Sequence, residues 1–82
     1  MGVTYVALIR KEKGTDFWAD IPDIPGCVAS GATAELAKAN FAEALKSHLE
    51  AGGRRRPPRS LHAIVTSEGS PFIEAYDIEI PE

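Results

Sequence analysis

The 82-residue chain predicts an α+β fold in the order β-β-β-α-β-β, with one helix packed on one face of a small sheet. Three observations carry this. Apolar residues alternate with polar ones near both ends of the chain, the two-residue period of half-buried strands. The middle is rich in alanine and leucine, with apolar positions recurring at steps of three and four, which is helical. Clusters of proline and glycine separate these stretches. One amphipathic helix laid on one sheet is the compact way to bury both apolar faces.

Val3 to Lys11 reads as the first strand. Val3, Tyr5, Ala7 and Ile9 share one face, and Val6 and Leu8 make the other face apolar too, as in a central strand. Glu12 to Thr15 is a polar turn, with Gly14 free to take a positive φ. Asp16 to Ile21 is the second strand and pairs with the first as an antiparallel hairpin. Pro22 ends it, because proline has no N–H for the ladder. Pro25 and Gly26 reverse the chain again, Cys27 to Ser30 forms a short third strand, and Gly31 breaks it. Thr33 is an N-cap for a helix from Ala34 to Ala51, with Ala37, Phe41, Ala44, Leu45 and His48 along its apolar stripe. Gly52 and Gly53 supply the left-handed residue that ends it. The run RRRPPRS is a loop, Leu61 to Thr66 is read as a fourth strand, and Phe72 to Ile80 as a fifth.

So short a chain makes a single domain over residues 1–82 with a thin core, for which a homodimer or higher oligomer supplies cover. Tyr76, Ile78 and Ile80 on the last strand are the dimer candidates. Nine Lys and Arg against twelve Asp and Glu give a net charge of −3, which disfavours direct nucleic-acid binding and suits a basic partner. The four arginines between Arg54 and Arg59 follow a helix C-terminus and lack interleaved aromatics, so they read as a solvated loop. Lone Cys27 fits a reducing compartment and a buried position. No apolar run is long enough to span a bilayer, and the N-terminal charges follow the apolar stretch, the reverse of a signal peptide. A cytoplasmic protein is expected.

No catalytic residue, metal site or cofactor is expected. Asp16 and Asp20 lie four apart on a strand, roughly 13 Å, too far to share an ion. A metal-dependent nuclease built on Asp20, Asp23 and a third acid is the weaker alternative. His48 and His62 have no ligand spacing; His48 suits a bond to the last helix carbonyls, and His62 a solvent-facing place on its strand. Asp23 suits the turn's own amides. Strand alternation makes one further prediction. If Phe17, Ala19 and Ile21 meet the helix, then Asp16, Trp18 and Asp20 face the other way. A tryptophan set among acids is an interface signature.

The residues Pro22-Asp23-Ile24-Pro25-Gly26-Cys27, then Gly31 and Thr33, then Glu43-Ala44-Leu45 and His48-Leu49-Glu50, resemble the HicB antitoxin family in register over about residues 3–66. The resemblance implies a partial ribonuclease H-like β-β-β-α-β domain. It also implies an antitoxin whose partner is HicA, a small basic ribonuclease whose active site it covers. Asp16, Trp18, Asp20 and Asp23 are then the expected toxin contacts, while Pro22, Pro25, Gly26, Gly31 and Thr33 shape the turn and cap the helix. Two departures stand out. The family's Thr-x-x-Glu capping box has Leu36 in its last position here. The C-terminal DNA-binding domain of many members has no counterpart before Glu82, so a stand-alone regulatory or orphan domain is the other reading.

Overall fold

A computed structural model describes residues 2–68 and 72–81. The elements are β1 (Gly2–Arg10), β2 (Phe17–Asp20), β3 (Val28–Gly31), α1 (Ala34–Glu50), α2 (Leu61–Glu68) and β4 (Glu74–Pro81). All strand pairs are antiparallel, in the order β3-β2-β1-β4. The doubly apolar β1 is central, and the α+β class read from the sequence holds.

The register follows the alternation. Ile9 pairs with Ala19, and Tyr5 with Ile78, so these side chains share one face of the sheet. That face meets α1. Tyr5, Ala7, Ile9, Ala19, Ile21 and Ile80 pack with Ala37, Phe41 and Leu45 of the helix stripe in one buried cluster. Phe17, Ile78 and Tyr76 lie half-buried at its border. Leu8 points the other way yet is only 1% exposed, and Ile64 of α2 is likewise buried outside the main cluster.

Helix α1 begins as its sequence dictates. Thr33 is the extended N-cap, and its hydroxyl accepts the Leu36 amide at 3.1 Å. With Leu36 where a glutamate would close the box, the bond runs in one direction only. Gly52, at φ +77°, ends the helix. Gly31 serves a different purpose. A Cβ there would lie 2.5 Å from the Ala37 nitrogen, so β3 and the first turns of α1 come together only across a glycine.

The segment expected as a fourth strand is a helix. Leu61–Glu68 forms α2, and the ladder partner of β1 is the next segment, making the order β-β-β-α-α-β. Leu61, Ala63 and Val65 fit a two-residue period, but Leu61, Ile64 and Val65 fit a helical one equally well, and so short an apolar run does not separate them. Ser60 decides locally. Its hydroxyl accepts the Ala63 amide at 3.2 Å and its carbonyl the Ile64 amide at 3.0 Å, as at a helix start. His62 is therefore an exposed helix residue.

Candidate protein-binding face

The site residues named from the sequence divide into two groups. Pro22, Asp23, Pro25, Gly26 and Cys27 form a fastened turn at one end of the molecule. The Ile24 amide bonds back to the Ile21 carbonyl at 2.9 Å, and Gly26 takes φ +88°. Cys27 is buried, and burial pushes its thiol pKa above the usual value. Asp23 is 1% exposed. Its carboxylate accepts the Arg59 amide at 3.0 Å and the Arg59 guanidinium at 2.7 Å, while its carbonyl accepts the Arg56 amide at 2.7 Å. The Tyr5 hydroxyl donates to the Arg56 carbonyl at 2.6 Å. His48 lies beside Gly26 and Gly53, with Nε2 3.4 Å from the Arg54 carbonyl.

This corrects two expectations. Asp23, expected at the surface and on its own turn's amides, is buried, and its carboxylate bonds Arg59 of the post-helix loop. It is the acceptor that ties the post-helix loop to the turn across thirty-six residues of sequence. Nor is the arginine run a uniformly solvated loop. Arg59 is held by Asp23 and by the Ser67 hydroxyl. Sequence reading missed Arg59 because it was grouped with its charged neighbours. The signal that could have singled it out is its place after both prolines, apart from the Arg54–Arg56 run.

The second group lies on the sheet face that α1 leaves uncovered. Trp18 pairs with Arg10 on β1 and Ser30 on β3, and Asp20 pairs with Leu8 and Val28. As the alternation requires, Ala19 is in the core and Trp18 is half-buried on the opposite side. Asp16 is exposed just before the strand. The Asp20 carboxylate receives the Arg10 guanidinium at 2.7 Å. Arg10 is the residue the sequence reading overlooked, and strand register alone brings it to Trp18 and Asp20. Trp18, Asp20, Pro22, Ile24, Pro25 and Val28 line a shallow recess of about 390 Å³. Val28, 60% exposed, forms its apolar lip.

Asp20 and Asp23 each face a guanidinium, and among the described residues no three His, Cys, Asp or Glu side chains gather as ion ligands. The dimer candidates are placed differently from one another: Ile80 is 2% exposed in the core, and Tyr76 and Ile78 are half-buried on the helix side of β4. Among the described residues no helix is long and apolar enough to cross a membrane.

Solved structures share this architecture. The N-terminal domain of antitoxin HicB from Burkholderia pseudomallei matches with a TM-score of 0.72 at 20% identity, over 98% of this chain and all of that one. A chain of the HicA3–HicB3 toxin–antitoxin complex matches with a TM-score of 0.67 at 29% identity, again over 98% of this chain and all of that one. The longer Burkholderia pseudomallei HicB is matched over 63% of its length by the whole of this chain, with a TM-score of 0.62 at 21% identity. No curated protein sequence matches significantly. The sequence profile of the HicB-like antitoxins of bacterial toxin–antitoxin systems matches residues 5–70, and the chain belongs to that family.

Proposed function

We propose that this protein is the antitoxin of a toxin–antitoxin pair, and that it neutralises a small basic HicA-like ribonuclease by covering its active site. It does so by contact and does no chemistry of its own. Family membership supports the antitoxin role, and the similar chain in the HicA3–HicB3 complex supports a HicA-like partner. The observation that carries the choice of surface is Trp18. It stands half-buried on the sheet face without α1, at the wall of an apolar recess, with Asp16 exposed nearby. Aromatic side chains in such recesses dominate binding energies, and rim acids speed the approach of a basic partner. Asp20, held by Arg10, keeps the recess in shape.

A growth assay tests this. The chain co-expressed with its HicA-like toxin restores growth, and Trp18→Ala abolishes the rescue while leaving circular dichroism unchanged. Asp16→Lys slows association and steepens its salt dependence. Full rescue by Trp18→Ala moves the contact elsewhere, and no rescue by the unaltered chain ends the antitoxin reading.

A further inference from the structure

The far side of the sheet holds an unfilled surface. Helix α1 lies closest to β3 and β2, and its buried stripe reaches β1 and Ile80 of β4 through side chains. A helix about 10 Å across spans about two strands at their spacing of about 4.8 Å. The stretch of β4 at Tyr76 and Ile78 is therefore only partly covered by the helix. Between them runs a groove of about 780 Å³, floored by Tyr76, Ile78 and Ile80 and walled by Ala42, Leu45 and Leu49. Lys38, ion-paired with Glu74 and 4.8 Å from the Tyr76 ring centroid, stands at one end.

The two edges of the sheet are treated differently. β3 is four residues long, and Asn40 of α1 donates to its Ser30 carbonyl at 2.8 Å. β4 is eight residues long, and among the described residues no strand lies beyond it. Its helix-side face carries Tyr76, Ile78 and Ile80, with Glu74 paired to Lys38 at one end, and its other face carries the exposed acids Asp77 and Glu79.

We propose that the free edge of β4 receives an extended segment of a partner protein in which apolar residues alternate with lysine or arginine. The backbone of that segment continues the sheet. Its apolar side chains lie beside Tyr76 and Ile78 under the flank of α1, and its cations face Asp77 and Glu79 across the strand pair. The same charges disfavour the two registers in which a second copy of β4 would overlap it most fully. Antiparallel self-pairing that keeps the apolar faces together, centred on Asp77 or on Ile78, sets Asp77 against Asp77 or Glu79 of the other copy. Like charges directly opposite are destabilising. This surface is separate from the Trp18 recess and does not depend on it.

The probe is a blocked synthetic peptide of alternating valine and lysine, as long as the eight residues of β4, titrated into the isotope-labelled chain. Amide shifts are expected to concentrate in residues 74–80 and along Ala42, Leu45 and Leu49. The double variant Asp77→Lys, Glu79→Lys weakens binding about tenfold and reverses the preference toward a valine–glutamate peptide. Methylation of alternate peptide nitrogens on the edge facing β4 removes binding. Equal affinity for the methylated peptide, shifts centred on Trp18, or no binding of the valine–lysine peptide each overturns the proposal. So does self-association through β4, seen as concentration-dependent shifts in the same residues without peptide.

Discussion

Two buried polar groups at opposite ends of the sheet differ in what surrounds them. Asp23 in the fastened turn has its carboxylate on the Arg59 amide and guanidinium. The Tyr76 hydroxyl on β4 is buried with no hydrogen-bond partner among the described residues. A buried polar group that is fully bonded becomes indispensable to its neighbours, while one left unbonded is a standing cost. The same operation, deletion of the polar group, should therefore destabilise one end of the molecule and stabilise the other.

The largest expected effect is at Asp23. Asp23→Ala strands the Arg59 amide and a partly buried guanidinium and releases the post-helix loop. It should lower the unfolding free energy in urea by about 3 kcal/mol, toward the lower end for broken buried pairs because Arg59 reaches solvent. Asp23→Asn, which keeps an acceptor oxygen but not the charge, should cost less. Equal stability of Asp23→Ala and the unaltered chain would show that the loop is held by other contacts.

Gly31→Ala comes next. The added Cβ meets the backbone of α1 at Leu36 and Ala37 rather than a yielding side chain, so the helix start must shift. Overpacking of this kind costs about 1–3 kcal/mol. It acts at the fastened side of the sheet, and amide shifts should run along β3 and α1 while β4 stays unchanged.

These residues also mark what was legible in the sequence. Turn and cap chemistry is local, so Gly14, Gly26, Gly52 and Thr33 could be read directly, as could the facing of Trp18 away from Ala19. Asp23 could not be placed, because its partner is thirty-six residues distant and no local rule links them. Arg10 meets Asp20 through strand register, which the hairpin implies only once its turn length is fixed. The strand expected at residues 61–66 failed for another reason: a short apolar run fits both periods, and it was Ser60 that selected the helix. The groove beside β4 was hidden because the helix's width, and so its reach across the sheet, is a tertiary quantity.

The smallest effect separates the two ends most sharply. Tyr76→Phe removes the unbonded hydroxyl and keeps the ring beside Lys38, so it should raise stability by up to about 1 kcal/mol at neutral pH. A pH series tests the same contrast. Burial, reinforced by the Glu74 carboxylate, pushes the Tyr76 pKa above its ordinary 10.0, and burial pushes Cys27 above its ordinary 9.0. In each case the unfolded chain releases its proton first, so the folded state holds more protons and stability falls as pH rises past the ordinary value. The decline should begin above about pH 9 from Cys27 and steepen above about pH 10 from Tyr76. Tyr76→Phe should remove the steeper part and leave the first; Cys27→Ala should do the reverse. If Tyr76→Phe is instead destabilising at neutral pH and leaves the alkaline decline intact, the hydroxyl has a bonding partner, and the two ends of the sheet are alike in how they satisfy their buried polar groups.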